Sequence, residues 1–190
     1  MHSVSLLVEL DESLAAWNDA AGRTGLVADR VDANRATPCM RNARSLFVCG
    51  LAHAALGDEA RARELEGEAA RLVGEGHEFA FVGPRIRLAL VRGDLATARR
   101  LAELEPHRTR VFGASTVVAR LDAFAALRDV GRVEELAAQL LEPGLYAEPF
   151  ALRALGLVRG DDELVARGQE RFGALGLAWH AAQPEALARR

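Results

Sequence analysis

The sequence predicts an all-α protein built from helical hairpins, and three observations support this fold class. Half of the 190 residues are apolar but only 5% are aromatic, so Ala, Leu and Val must build the core, and Ala and Leu are strong helix formers. Apolar residues recur at spacings of three and four, as on one face of a helix. Glycines separate these stretches at intervals typical of helical-hairpin repeats.

The clearest hairpin covers residues 38–73. Gly57 suits the left-handed position that ends a helix, and Asp58 suits the N-cap of the next helix. Gly50 lies on the packing stripe, and because a glycine inside a helix costs ~0.5–1 kcal/mol relative to alanine, it indicates a close approach of two helices. The predicted stripe consists of Leu46, Phe47, Cys49, Gly50, His53, Ala54 and Leu56, then Ala62, Leu65, Ala69 and Leu72.

The remaining elements follow the same pattern. Residues 3–20 are predicted as one helix with Leu6, Leu7, Leu10, Leu14 and Trp17 on one side, and residues 26–36 as a shorter helix. Further helix pairs are predicted at 79–91 with 95–104, 111–130 with 133–141, and 146–158 with 164–175. The predicted hinges are Gly57, Gly93, Gly131 and Gly160. We therefore expect a single helical-repeat domain over 1–190, with N-terminal helices in 1–36, about four hairpins in 38–175 and a cap helix in 177–190.

Charge varies along the chain although the net charge is only −3. Residues 83–132 contain 10 Arg and 5 acidic residues, whereas residues 1–82 contain 8 Arg and 13 acidic residues. The basic segment could favour an acidic partner, and its contact residues are predicted to be Arg85, Arg87, Arg92 and Arg120. The alternative is a solvated face whose helices use Arg. Direct nucleic-acid binding is disfavoured, because no aromatic residues alternate with these arginines.

No constellation of residues predicts catalysis, a cofactor or a metal site. Cys49 and His53 lie four residues apart and could be metal ligands, but no third ligand is near in sequence, which favours apolar packing. Trp179-His180 is distinctive, and core or cap packing is favoured over contact with a partner domain. The N-terminus lacks a positive segment, and no run approaches ~20 apolar residues. The sequence predicts a cytoplasmic protein without a membrane partner.

The hairpins resemble tetratricopeptide repeats. Gly50, Gly57-Asp58, Ala62 and Ala69 match the small-residue and turn positions of that family, while His53 stands where an aromatic residue is usual. This resemblance implies a short right-handed α-solenoid. The segment from Ala154 and the run Gly-Leu-Ala-Trp-His-Ala-Ala at 176–182 also resemble the C-terminal region of large bacterial ATP-dependent regulators of LuxR type or with a linked cyclase.

This second resemblance implies a non-catalytic protein-interaction or sensor module, the regulatory repeat region of a bacterial signalling or transcription-regulating ATPase. The expected partner is a protein or peptide, including the nucleotide-binding domain of the same regulator. The chain has no lysine, so it lacks the phosphate-binding loop of such ATPases. The alternative is a fragment of an adenylate or guanylate cyclase-type enzyme whose catalytic and ATP-binding domains lie outside this chain.

Overall fold

The described part of the chain is entirely helical. The structure, a computed structural model, describes residues 2–34, 36, 39–73, 77–104 and 113–182. Within these residues there are twelve α-helices and one 3₁₀ turn, with no β-strand. The predicted all-α class is therefore confirmed. The longest of these helices has 16 residues, fewer than the ~20 that a bilayer requires, and none of the helices in the described ranges could span a membrane.

The chain divides into two compact units, Met1–Pro84 and Arg85–Arg190. The first contains α1 (His2–Leu14), α2 (Trp17–Gly22), α3 (Thr24–Ala33), α4 (Met40–Ala55), α5 (Glu59–Leu72) and the 3₁₀ turn Glu78–Phe81. Helix α6 (Val82–Val91) crosses the boundary. The second contains α7 (Leu95–Ala102), α8 (Gly113–Ala126), α9 (Val130–Ala137), α10 (Glu148–Arg159), α11 (Asp162–Ala174) and α12 (Ala178–Ala181). Residues 111 and 112, 183–188 and the rest of the predicted cap lie outside the described residues.

Helix α4 is the centre of the first unit. It contacts α1, α2, α3, α5 and the 3₁₀ turn. All of its residues from Asn42 to Ala52 are buried. The ring of Phe47 meets the edge of Phe81 in the 3₁₀ turn, with 6.0 Å between the ring centroids, an arrangement that aromatic pairs favour. The alternation of bulky and small residues on α4 thus serves packing on several sides, not on one stripe.

The N-terminal stretch differs from its prediction in two ways. The single helix predicted for residues 3–20 is broken, because Ala15 takes a left-handed φ of 52° between α1 and α2. The leucines predicted to share one side do share it, but they face solvent, and the buried side of α1 carries Ser5, Val8, Asp11 and Glu12. Trp17, by contrast, is buried as expected for a core residue.

A buried ion pair explains this orientation of α1. Glu12 Oε2 accepts a hydrogen bond from Arg44 Nη2 of α4 at 2.5 Å, and both side chains are almost completely buried. Arg44 Nε also donates to the carbonyl oxygen of Ala80 at 3.0 Å. Such a pair adds little net stability, but removing one of its two charges leaves the other buried without its counter-charge. The ion pair therefore fixes which side of α1 faces inward.

The second unit has an aromatic and ionic core around α10. Phe150 of α10 meets Phe172 of α11 edge to face at 4.7 Å, and the ring of His180 stacks on Phe172 at 5.4 Å. Arg153 Nη2 donates to Asp122 Oδ1 of α8 at 2.9 Å, and its guanidinium lies 4.7 Å from the Phe172 ring centroid. Because His180 is buried here, this residue of the Trp179-His180 pair belongs to the core.

Four hairpins use the same hinge. In each, an Asp N–H donates to the carbonyl oxygen five residues earlier, and the Asp side chain accepts from the N–H three residues later, so one residue closes the first helix and caps the second. The residue before each Asp has a positive φ. The hinges are Gly57-Asp58, Gly93-Asp94, Arg128-Asp129 and Gly160-Asp161. Three of the predicted hinges are present; the fourth is at Arg128 with a φ of 55°, and Gly131 is the second residue of α9.

Two glycines allow close contact within their hairpins. A Cβ added at Gly50 would lie 3.2 Å from the carbonyl oxygen of Ala62 and 3.4 Å from Leu65 Cβ, so α4 and α5 meet at this residue as predicted. A Cβ added at Gly156 would lie only 2.7 Å from the backbone nitrogen of Val165. Close approach of α10 and α11 therefore requires glycine at position 156.

Candidate functional site

The four arginines predicted to contact a partner occupy different environments. Arg92 is exposed in the turn after α6, and Arg85 and Arg120 are half-buried. Arg87 is completely buried, so its guanidinium is not accessible to a partner and does not belong to the candidate contact surface. The basic character of the segment was readable from the sequence, whereas the burial of Arg87 depends on tertiary packing.

Arg120 closes the end of α7. Its Nε donates to the carbonyl oxygen of Ala102 at 2.7 Å, and its Nη2 donates to that of Leu104. The last carbonyl groups of a helix have no partner inside the helix and carry partial negative charge. The guanidinium of Arg120 supplies two hydrogen-bond donors and a positive charge to these carbonyl groups, so Arg120 positions α7 against α8.

A groove opens beside Arg120. Its volume is about 360 Å³, at the lower end of the range for ligand-binding clefts. Phe124 of α8 and Leu136 of α9 supply apolar walls, and polar side chains surround them. The lining residues are Ala102, Glu103, Arg120, Phe124, Arg132, Glu135, Leu136 and Gln139.

The charges at this groove are accessible to a ligand. Arg132 Nη1 lies 3.0 Å from Glu135 Oε2, and both side chains are more than half exposed. An exposed pair three residues apart on a helix is worth little, ~0.2–0.5 kcal/mol. A ligand carboxylate can therefore replace Glu135 as the partner of Arg132 at small cost. Gln139 supplies amide donor and acceptor groups suited to a peptide backbone.

The first unit has a second groove of different charge. It measures about 400 Å³ and is lined by Ala28, Val31, Asp32, Leu46, Glu68, Arg71 and Leu72. With two carboxylates and one guanidinium, it is a weaker match to an acidic ligand than the groove at Arg132. Arg71 provides a groove-lining arginine for comparison.

The side chains of Cys49 and His53 both make hydrogen bonds to other residues of the first unit. Cys49 Sγ donates to the carbonyl oxygen of Ala20 at 3.4 Å. Burial raises the pKa of the Cys49 thiol to about 11, although a hydrogen bond with Thr24 opposes the shift. Within the described ranges no three His, Cys, Asp or Glu side chains are grouped as metal ligands would be. Cys49 is therefore a packed, protonated thiol at neutral pH.

His53 instead joins two residues that sequence reasoning did not connect. Its Nδ1 lies 3.3 Å from Asp58 Oδ2, and its Nε2 lies 3.1 Å from Thr24 Oγ1. The order of carboxylate, imidazole and hydroxyl matches that of a nucleophile activated by a base. However, Thr24 Oγ1 is directed at the carbonyl oxygen of Ala21, 2.7 Å away, and Thr24 is buried. The chain of contacts thus links α3, α4 and the first hinge. Thr24 lies 29 residues before His53, too far for a local sequence signal.

Of the two grooves described here by their lining residues, the groove at Arg132 matches an acidic ligand better, because two arginines line it and only one lines the other. The aspartates of the four hinges, Asp58, Asp94, Asp129 and Asp161, recur at intervals of 36, 35 and 32 residues. Comparison of the chain with protein-family models, with curated proteins and with solved structures found no match.

Proposed function

We propose that this chain is a non-catalytic helical-repeat module that binds an acidic protein segment in the groove formed by α7, α8 and α9. The groove itself carries the proposal: it combines apolar walls with exposed, weakly paired charge on the surface of helical hairpins. Helical repeats commonly present extended surfaces for peptides and domains. The four equivalent hinges support the repeat interpretation, and a short α-solenoid is the architecture we propose for it.

Charge favours an acidic segment as the ligand. The groove residues lie in or next to the basic stretch 83–132, which has twice as many arginines as acidic residues. Arg132 is free to exchange its own-helix partner, and Arg92 is exposed in the same part of the chain. Binding through such exposed charges is screened over ~10 Å at 0.1 M salt, so it should weaken as salt rises.

We further propose that this module is part of a larger regulator, as the resemblance to bacterial ATP-dependent regulators implies. The module would serve as the regulatory repeat region of a bacterial signalling or transcription-regulating ATPase in the cytoplasm. The acidic segment would then belong to the nucleotide-binding domain of that regulator or to another protein of the pathway.

A peptide selection tests the binding function. A displayed library of random peptides is selected against the chain, and the best peptides are synthesised and titrated by calorimetry. We expect acidic peptides with apolar residues, weaker binding at high salt, and an affinity loss of ~10-fold for Arg132→Glu, since exposed charge pairs are worth up to ~1 kcal/mol and reversal adds repulsion.

The matched control is Arg71→Glu, which reverses an arginine in the other groove. It should leave the affinity within about twofold, because long-range effects of one surface charge are screened. Selected peptides that are basic, or equal losses for the two variants, would contradict the proposed groove.

A further inference from the structure

Glu103 lines the groove at Arg132 from the C-terminal end of α7. The carbonyl groups at this end of a helix carry partial negative charge, so a lysine, arginine or histidine is the charged residue that helix stability favours there. A carboxylate at the same position is destabilising. Residues that break a local rule of this kind are expected at functional sites. The position of Glu103 is therefore better explained by a ligand than by the stability of α7.

The ion pair that Glu103 makes is weak. Its Oε1 lies 3.9 Å from Arg99 Nη1, beyond hydrogen-bond distance, and both side chains are about half exposed. Within the described part of the chain Glu103 has no other ion pair. Arg120, which also lines the groove, directs its Nε and Nη2 at the carbonyl oxygens of Ala102 and Leu104. The carboxylate of Glu103 can therefore accept a cation from a ligand at small cost.

The groove carries the opposite charge on α9. Arg132 there has only the exchangeable partner Glu135, as described above. Helix α8 contacts both α7 and α9, and its Phe124 is part of the groove lining. The groove thus offers an anion from α7, an apolar surface from α8 and a cation from α9. A ligand that complements all three carries a basic group, an apolar group and an acidic group.

We propose that the acidic segment bound in this groove contains a basic residue close to its carboxylate, and that Glu103 selects for it. The segment's carboxylate pairs with Arg132, its lysine or arginine pairs with Glu103, and an apolar side chain contacts Phe124. This inference rests on the proposed function and specifies the class of segment. A compact groove of about 360 Å³ is roughly 9 Å across, which an extended chain spans with about three residues at ~3.3 Å each. The basic and acidic residues therefore lie within about three positions of each other.

The basic residue reverses the effect that Glu103 has on binding. Facing a purely acidic segment, Glu103 repels the ligand, so replacing it by glutamine strengthens binding. Facing a segment with a basic residue beside its carboxylate, Glu103 attracts the ligand, and the same replacement weakens binding. Glu135 provides a matched comparison, since it is another exposed glutamate of the same groove. Removing the charge of Glu135 frees Arg132 and strengthens binding of the segment.

Parallel peptide selections test the composition of the segment. The displayed random library is selected against the wild-type chain and against Glu103→Arg. Peptides selected by the wild-type chain should be acidic overall and carry a lysine or arginine within about three residues of an acidic residue. Peptides selected by Glu103→Arg should have an acidic or neutral residue in place of this lysine or arginine. The same basic residue at the same frequency in both selections overturns the inference.

Calorimetric titration tests the pairing directly. The probes are the best wild-type peptide and a derivative in which its basic residue is replaced by glutamine. Glu103→Gln should weaken binding of the first peptide about 2–5-fold, as expected for an exposed ion pair, and leave the derivative bound at least as tightly as by wild type. Glu135→Gln should strengthen binding of the first peptide up to about twofold. Glu170→Gln, on exposed α11 surface outside the groove lining, should bind like wild type.

The outcomes separate this inference from the proposed function. Binding of the first peptide to Glu103→Gln that equals or exceeds wild-type binding, or an equal loss for the derivative, overturns the inference but leaves a groove that depends on Arg132. Acidic peptides whose binding is unchanged in Arg132→Glu refute the proposed function and the inference with it. Melting by circular dichroism excludes unfolding as a cause, because Glu103→Gln removes a carboxylate from a helix C-terminus and should melt at or above the wild-type temperature.

Discussion

Replacing Gly156 by alanine measures how closely α10 and α11 approach. Alanine is favoured over glycine inside a helix by ~1 kcal/mol, so the change would stabilise an isolated helix. In the structure, however, the new Cβ would lie 2.7 Å from both the backbone nitrogen and Cγ2 of Val165, and 2.8 Å from the carbonyl oxygen of Asp161. Two of these are backbone atoms of the hinge region, which a rotamer change cannot move away.

The size of the effect follows from these distances. Nonbonded carbon atoms prefer about 3.5–4.0 Å, so the helices must separate by nearly an ångström or accept strain. Overpacking of this kind costs ~1–3 kcal/mol and outweighs the helix preference. Because two of the close atoms belong to the backbone, we take the upper part of this range, ~2–3 kcal/mol. Subtracting the helix preference of ~1 kcal/mol leaves a net loss of about 1–2 kcal/mol for Gly156→Ala, which corresponds to a fall in Tm of ~2–8 °C for a chain of this length.

Two other glycines calibrate the measurement. At Gly67 the nearest atom to an added Cβ is Arg71 Nη1 at 3.8 Å, the end of a flexible side chain, so Gly67→Ala should stabilise by ~0.5–1 kcal/mol. At Gly50 an added Cβ would lie 3.2 Å from the carbonyl oxygen of Ala62. The stability of Gly50→Ala should therefore lie between those of the other two alanine variants, and Gly50→Leu should be clearly destabilised. Melting of all variants is followed by circular dichroism. Gly156→Ala melting at or above the wild-type temperature would refute the close contact.

Three further changes test other parts of the structure. Glu12→Gln should destabilise the first unit by ~3–5 kcal/mol, because it removes the negative charge that faces the buried guanidinium of Arg44; a urea titration with an unchanged midpoint would contradict this. Burial raises the pKa of Glu148, but hydrogen bonds from Gly144 N–H and Arg171 outweigh it, so the net pKa is lowered. A carboxyl whose pKa is lowered by folding stabilises the protein above its unfolded pKa of ~4.3. The stability advantage of wild type over Glu148→Gln should therefore vanish as pH falls through the folded pKa. A difference in unfolding free energy between the two proteins that stays constant down to pH ~2 would contradict this. A thiol reagent at neutral pH should label Cys49 only after unfolding, since its pKa is about 11; rapid labelling of the Cys39→Ser variant would disprove its burial.

The hinges were predictable because their chemistry is local. A glycine with positive φ and an aspartate that caps the next helix are adjacent in sequence, as at Gly57-Asp58. The prediction was wrong at the third hinge, because Arg128 has the positive φ there and arginine, unlike glycine, does not indicate such a conformation. Asp129 keeps both hydrogen bonds of the motif, so the aspartate is the better sequence signal.

The site was less predictable because its determinants are distant in sequence. The leucine pattern of α1 indicated an inward apolar side, but the Glu12–Arg44 pair, 32 residues apart, places that side outward. The basic segment was visible as composition, yet nothing local separates buried Arg87 from exposed Arg92. Arg132 was absent from the predicted contacts, although it directly follows Gly131, which was predicted as a hinge, and lies in the first turn of α9 beside the groove.

Hydrogen–deuterium exchange directly tests whether an acidic peptide binds in the groove at Arg132. The chain is compared alone and with a saturating acidic peptide from the selection, and protection is mapped by mass spectrometry. We expect slower exchange in residues 113–139, which comprise α8, α9 and the groove-lining segment after them, and loss of this protection in Arg132→Glu at the same peptide concentration. Protection confined to the first unit, or unchanged in Arg132→Glu, would contradict the proposed interaction site.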